Sequence, residues 1–431
     1  MKILLVGNGG REHALAWKLA SCKGVKLLIT LGNGGTDGLA MPVPVEPNDL
    51  GGLVETAKKE RIDLTVVGPE SPLAQGLADK MRAEGVPVFG PVQAAARIEF
   101  SKAFAHEVME AAQVPCAQAV VFDDARAALA YVARSQSPLV IKADGLAAGK
   151  GVVVAANREE AIETVKRFMV DGALGAAGRK VVIEERLEGE EASFMVLTDG
   201  ETILPLPPAR DHKRLLDGDL GPNTGGMGAF SPTRALPKEA QEEVISRIIR
   251  PTLDELARRG VRYQGVLYAG LMMTRDQGPK VLEFNCRFGD PETQAVLVRM
   301  RGNLAEVLQA CAEGRLSEVQ VGFFAKVAVC VVLASNGYPG RSRTGEVIYG
   351  LDQISTMPNV HVFHAGTRRR PDGALVTNGG RVLGVTAVAD SLRAARALAY
   401  EAAGRIHFEG MQYRRDIGVQ RCSARTVRSG D

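Results

Sequence analysis

Apolar positions fall into short blocks along the first hundred residues, and their period changes in a regular way. Lys2 to Val6 is an apolar run that reads as a buried strand, Gly7 to Gly10 as a tight turn, and Arg11 to Ala20 as a helix with apolar residues at helical spacing. Further strands are predicted at Lys26 to Thr30, at Asp63 to Val67 before Gly68-Pro69-Glu70, and at Pro87 to Phe89 before Gly90-Pro91. Helical segments separate them. Such alternation predicts a doubly wound parallel sheet of Rossmann-like kind over 1–100, with ligands at the carboxyl ends of its strands.

After Ser101, an N-cap for a helix to about Gln113, the pattern becomes one of paired strands. Leu139 to Lys142 pairs with Val152 to Ala155, Val181 to Glu184 with Ala192 to Leu197, and Val266 to Met273 with Lys280 to Phe284. Residues 101–325 are therefore expected to hold antiparallel sheets with covering helices. From about Lys326, the strands Val327 to Leu333, Val360 to His364 and Arg381 to Val388 predict a small C-terminal α+β domain over 326–431.

Composition narrows the field. The chain has 431 residues, 45% hydrophobic and 24% charged, which allows sizeable cores in two to four domains. A formal charge of +3 with dispersed basic residues disfavours nucleic acid as the main partner. Cys22, Cys116, Cys286, Cys311, Cys330 and Cys422 lie far apart without a CxxC pair, so they read as packing residues in a cytoplasmic protein. The first apolar run is too short for a signal-peptide core, and no stretch approaches a membrane span.

Chemistry concentrates in a few segments. Gly7-Asn8-Gly9-Gly10 fits a tight turn or a phosphate site, whereas a nicotinamide site lacks the third glycine, replaced by Glu12, and an acidic residue after the second strand. Lys142 to Gly151 carries Lys142 on a strand, then three glycines and Lys150. Glycines free the backbone to wrap an anion and the ammonium groups neutralise phosphate, although Gly151 after Lys150 excludes a Walker A loop. Glu184-Glu185-Arg186-Leu187 and Glu191 put acidic residues at a strand end, where they fit either solvated positions or an adenine and ribose site. Glu283, Asn285 and Arg287 alternate along a strand and share one face, where a carboxylate, an amide oxygen and a guanidinium suit Mg²⁺ and phosphate oxygens. Asp211-His212-Lys213-Arg214 and Gly221 to Gly228 form a long loop of the kind that serves as a lid, with His212 a candidate base or a bystander.

These segments, together with Gly9-Gly10-Arg11-Glu12-His13-Ala14, Val67-Gly68-Pro69-Glu70, Gly337-Tyr338-Pro339-Gly340 and Thr377-Asn378-Gly379-Gly380-Arg381, resemble the glycinamide ribonucleotide synthetase family of the ATP-grasp superfamily over nearly the whole chain. The resemblance implies an ATP-grasp domain at 101–325 with a mobile lid at about 121–192. It implies ligation of glycine to 5-phosphoribosylamine with cleavage of ATP to ADP and phosphate, through glycyl phosphate, in purine biosynthesis. Lys102 and Lys142 would bind phosphate beside Gly149, Lys150 and Gly151. Glu184, Glu185 and Leu187 would hold adenine, Glu191 ribose, and Glu283 with Asn285 Mg²⁺ or Mn²⁺. Gly9, Gly10, Arg11, Asn223, Thr224 and Gly225 would hold phosphoribosylamine, and Glu70 and Asp290 would also bind substrate. Asp211 and Arg287 would serve glycine and the acyl phosphate, and these two with Lys142 would be catalytic. A monomer without nucleic-acid or membrane partners is expected, with transient hand-over of phosphoribosylamine from the upstream amidotransferase. Leu31, Arg186 and Arg210 depart from the family pattern, which favours proline, an aromatic and glutamine there. The rivals are a carboxylating or formate-using relative, a nicotinamide oxidoreductase and a nucleotide-sensing module.

Overall fold

A computed structural model of the chain describes residues 1–147 and 149–419. Ala148, inside the lysine loop, and Cys422 lie outside the described residues. Five parallel strands, β1 (Lys2–Val6), β2 (Lys26–Thr30), β3 (Met41–Val43), β4 (Leu64–Val67) and β5 (Val88–Phe89), form an N-terminal sheet in the order β3-β2-β1-β4-β5. The strand order reverses between β1 and β4, so the turns after both open on one crevice. Those turns carry Gly9 to Arg11 and Glu70. β3 went unread because Met41-Pro42-Val43 is too short to show a period and holds a proline, which an edge strand tolerates.

The helix Lys102–Ala111 starts where expected, with the Ser101 hydroxyl accepting from Phe104 N at 3.1 Å. Beyond it stand two four-stranded antiparallel sheets. The first aligns Ala119–Phe122, Val181–Glu185, Leu139–Ala143 and Val152–Val154, and the second Ile203–Pro205, Glu190–Thr198, Gly265–Thr274 and Gly278–Asn285. Two of the three expected hairpins form, at 139–154 and 265–285. The third does not. Val181–Glu185 pairs with Leu139–Ala143, whereas Glu190–Thr198 pairs with Gly265–Thr274, so Arg186 to Gly189 crosses from one sheet to the other. That link lacks the Asn-Gly or Asp-Gly chemistry of a tight hairpin. Gly189 also passes close to the neighbouring strand, where an added Cβ would sit 2.3 Å from Met273 O.

The first sheet has its own core, in which Leu139, Ile141, Val181 and Ile183 pack on Val132, Val165 and Phe168. The second shares cores with the N-terminal sheet, because Ile3 and Leu5 join one cluster with Val266, Tyr268 and Phe288. A C-terminal five-stranded sheet takes Val327–Ala334, Arg381–Ala389 and Val360–His364, and adds Arg210–Asp211 and Gly228–Ser231 from earlier in the chain. This insertion carries Asp211 to the seam between the last two parts. Among the described residues, no helix is long and apolar enough to cross a membrane.

Candidate active site

Where the N-terminal crevice, the second central sheet and the C-terminal sheet meet, a cavity of about 670 Å³ is lined by Arg11, Glu70, Lys102, Gly149, Lys150, Gly151, Asp211, Asn223, Thr224, Gly225, Glu283, Asn285, Arg287 and Asp290. With Arg381 also in the lining, residues separated by up to 370 positions in the chain thus converge on one volume. A second cavity of about 540 Å³ contains Gly9 and Gly10, and Asp290 and Arg381 line both. Lys142, Glu184, Glu185, Leu187 and Glu191 are not among the residues that line either.

Glu283 owes its aim to a register shift. The pairing of Gly265–Thr274 with Gly278–Asn285 slips between Gly270 and Leu271, so Leu282 is an extra residue that re-aims the rest of its strand. Its carbonyl accepts from Lys142 Nζ at 2.7 Å. The buried Lys142 also pairs with Glu184 Oε2 at 2.7 Å. Glu283 Oε1 is 2.9 Å from Lys213 Nζ. Lys213, with help from Lys102 and Lys142, holds the Glu283 carboxyl far below the usual carboxylate range against the opposing effect of burial. Burial opposes the charge on Lys213, yet Glu283, Tyr268, Glu191 and Asp211 keep it well above its ordinary value. Glu191 therefore acts on the site through its charge. Glu185 pairs with Lys280 at 3.5 Å.

Arg287 ties three parts together. Its guanidinium lies 3.2 Å from Glu70 Oε2 and 3.0 Å from Glu99 Oε1, and donates to Asn285 Oδ1 at 3.1 Å. Burial pushes the Glu99 carboxyl up, whereas for Glu70 burial is outweighed by Arg287 and Arg11, which hold it at about 2. Arg11 donates to Phe288 O at 3.1 Å and pairs with Glu12 at 2.6 Å. Glu12 in turn accepts from Gly9 N at 2.8 Å, and its carboxylate fills the space that a third glycine would have left open. On the other side Arg381 binds Asp290 Oδ2 at 2.7 Å and Gly225 O at 2.5 Å. Gly225 N donates to the Tyr338 hydroxyl at 2.8 Å.

Asp211 Oδ1 is shut off from solvent without a hydrogen-bond partner among the described residues. Burial, then Glu292, raise its carboxyl well above the usual range. Glu292 is buried and accepts from the Tyr268 and Ser193 hydroxyls, each at 2.9 Å. Ionised Asp211 is therefore a stronger base than an exposed carboxylate. His212 is unsuited to this role: burial and the charges of Arg414 and Arg210 lower it to about 4.

Sequence reading gave no role to Lys213, Glu99, Tyr268, Glu292, Tyr338 or Arg381, all of which line the cavity. Lys213, Tyr338 and Arg381 lie inside the family-like segments, and Glu292 opens the helix Glu292–Leu297 shortly after Arg287, but their partners are remote in sequence. Glu99 and Tyr268 sit in a helix and a strand with nothing local to mark them.

The facing antiparallel sheets, with lysines and carboxylates between them, define an ATP-grasp protein. The phosphoribosylglycinamide synthetase N domain matches residues 1–99, its ATP-grasp (A) domain 100–293 and its C domain 328–420. The chain is 48% identical over 423 residues to the phosphoribosylamine–glycine ligase of Yersinia pestis, covering 97% of this chain and 99% of the relative. With that of Escherichia coli K12 it shares 46% over 421 residues, covering 97% and 98%. Its fold is similar to the crystal structure of phosphoribosylamine–glycine ligase from Thermotoga maritima, with a TM-score of 0.84, 35% identity and coverage of 97% and 100%. It also shares its fold with the biotin carboxylase domain of Hydrogenobacter thermophilus 2-oxoglutarate carboxylase, solved with MgADP and bicarbonate, at a TM-score of 0.73, 17% identity and coverage of 95% and 91%. The chain belongs to the phosphoribosylglycinamide synthetase family.

Against that family pattern, Leu31 has a concrete consequence. It sits at φ 57° and donates its N–H to Val43 O at 2.9 Å, neither of which proline permits, so residues 31–36 take a path closed to a proline-bearing chain. Arg186 is exposed and donates its backbone N–H to Pro138 O at 3.1 Å, while the Arg210 charge acts on His212.

Proposed function

We propose that the chain joins glycine to 5-phosphoribosylamine, with ATP cleaved to ADP and phosphate, by way of glycyl phosphate in purine biosynthesis. The observation that carries this reading is the convergence of Lys102, Lys213, Glu283, Asn285 and Arg287 on a single cavity, beneath the Gly149–Gly151 loop. In this reading ATP lies between the two central sheets. Lys102 and Lys150 face its phosphates, Lys142 joins them on release from Leu282 O and Glu184, and the strand end at Glu184 to Leu187 with Glu191 takes adenosine. The separately cored sheet around 121–192 closes as the lid.

Two anions meet when a glycine carboxylate attacks a γ-phosphate, so cations must screen the approach. Arg287 and Lys213 are placed to do so. The amine nitrogen of phosphoribosylamine then bonds to the glycyl carbonyl carbon, and phosphate leaves with the electron pair of the broken C–O bond. Asp211 is placed to take the proton that the amine sheds. Glycyl phosphate hydrolyses in water, which gives the glycine-rich loops the task of excluding it. The 540 Å³ cavity at Gly9 and Gly10 takes the phosphoribosyl end of that substrate, with the helix start toward its phosphate.

A divalent ion fits the donors present. Glu283 uses only Oε1 toward Lys213, and Asn285 Oδ1 uses one of its two lone pairs toward Arg287, so oxygens remain for a hard cation on the same wall. Bound by Glu283 and Asn285, Mg²⁺ or Mn²⁺ would neutralise phosphate charge. We place the protein in the cytoplasm as a monomer that receives phosphoribosylamine from the upstream amidotransferase.

The test is ADP release that requires glycine and phosphoribosylamine together. Bicarbonate or formate in place of glycine should give none, and ADP release driven by either would transfer the chain to another ligase activity.

A further inference from the structure

Two parts of the cavity wall are joined by one hairpin, with strands Arg214–Leu216 and Leu220–Asn223. Just before it stands Lys213, the partner of Glu283, and at its end lie Asn223, Thr224 and Gly225, all in the cavity lining. The two ends are tied to each other, because the Thr224 N–H and hydroxyl both donate to Lys213 O at 2.8 Å. The end also meets the lysine loop, where a Cβ at Gly149 would lie 3.4 Å from Thr224 O. Movement of the hairpin would therefore shift Lys213 and the 223–225 loop together.

Apolar burial does little to hold it. Leu216 and Leu220 are 52% and 64% exposed, and a two-stranded hairpin is marginal by itself. The tip is fixed instead by polar contacts to residues 414–416. Arg414, only 1% exposed, binds Asp219 Oδ1 at 2.8 Å and Arg214 O at 3.0 Å, while two of its nitrogens grip both oxygens of Asp416 at 2.7 and 2.8 Å. Asp416 Oδ2 accepts from Gly218 N at 2.9 Å, and Asp217 Oδ1 accepts from Arg415 N at 2.7 Å. A planar guanidinium can serve the Asp416 carboxylate, one arm of the hairpin and its turn simultaneously, whereas a lysine ammonium is a single point charge.

We propose that Arg414 is a positioning residue for the ligation: from outside the cavity it fixes the 214–223 hairpin and so sets Lys213 and the 223–225 loop against the substrates. The proposal rests on the ligase reading above. Asp219→Asn is the cleaner probe, because Asp219 is half exposed and the Arg414–Asp416 pair survives its loss. Arg414→Lys keeps the charge and removes the fork.

Turnover with glycine and phosphoribosylamine varied, ATP affinity by direct titration, and amide hydrogen exchange would be measured for wild type and both variants. For Asp219→Asn we expect about tenfold lower kcat/KM for phosphoribosylamine, the scale of removing the charge from one hydrogen-bonded ion pair. Exchange should quicken at 213–225 only, with melting temperature and ATP affinity unchanged, and Arg414→Lys should lose more. An active wild type whose Asp219→Asn variant keeps its rate, or its slow exchange at 213–225, overturns the clamp. So does ATP affinity that falls in step with turnover. A wild type without glycine-dependent ADP release overturns the ligase reading itself.

Discussion

Glu283→Gln isolates one charge at the centre of the cavity. The substitution keeps the shape and an oxygen that can still accept from Lys213, but removes the negative charge that three lysines surround. At 2.9 Å, with an effective dielectric of about 20, the gross attraction of Glu283 to Lys213 is about 6 kcal/mol. The two side chains are 28% and 32% exposed, so water screens the pair, and the net loss of stability should be about 2 kcal/mol. A chain of this size withstands that, so the variant should stay folded. Catalysis should suffer more. The same carboxylate is the proposed metal oxygen, and removing a fixed group aimed at transferring phosphate costs roughly 10²–10³-fold in kcat. Coupled detection of ADP at saturating glycine, with Mg²⁺ titrated, would read both effects: a large fall in kcat and a higher Mg²⁺ concentration at half-saturation. A folded variant with the wild-type rate and metal requirement would refute the reasoning.

Burial of neutral imidazoles should give the protein an acid-sensitive stability. Burial first, then neighbouring charge, holds His13 at about 3 and both His364 and His212 at about 4, against 6.5 when unfolded. The unfolded chain takes up these protons first, so their contribution is complete above about pH 6.5 and is lost as pH falls toward 4. Between pH 7 and 5 each should cost up to about 2 kcal/mol, readable as lower urea midpoints, with a shallower slope in His364→Gln. Equal midpoints at the two pH values would contradict this. Glu70 works in a separate window, because its contribution is present above 4.5 and fades only as pH drops toward 2. Ser101→Ala should cost about 1 kcal/mol in denaturant titration by removing the cap on Phe104 N. Gly226→Ala should cost about 2 kcal/mol or more and depress turnover, since Gly226 has φ 110° and an added Cβ would lie 2.5 Å from Pro291 Cδ and 2.9 Å from Asp211 Oδ1. Wild-type melting and kinetics in that variant would show the loop to be softer than this packing implies.

Local pattern revealed the features that depend on neighbours in the chain. β1, the glycine turn and the helix after it are legible from period alone, and so are the hairpins at 139–154 and 265–285. The period-two argument put Glu283, Asn285 and Arg287 on one face; the strand ends at Asn285, and Arg287 reaches the same cavity from beyond it. Pairing at a distance left no such trace: the crossing at Arg186 to Gly189, the Glu70–Arg287–Glu99 bridge, and the hold of Arg381 on Asp290. Those pairings decide the electrostatics. Arg11, Lys102, Lys150, Lys213, Arg287 and Arg381 face Glu70, Glu99, Asp211, Glu283, Asp290 and Glu292 across the cavity, equal in number and opposite in sign. Most of the cations are already committed to carboxylates. A triphosphate entering such a balanced site brings several negative charges that the lining cannot neutralise without breaking its own pairs. With Lys150 already in that balance, we expect a divalent ion, held by Glu283 and Asn285 in the proposed reading, to supply the further positive charge, so that ATP affinity should rise with Mg²⁺ concentration.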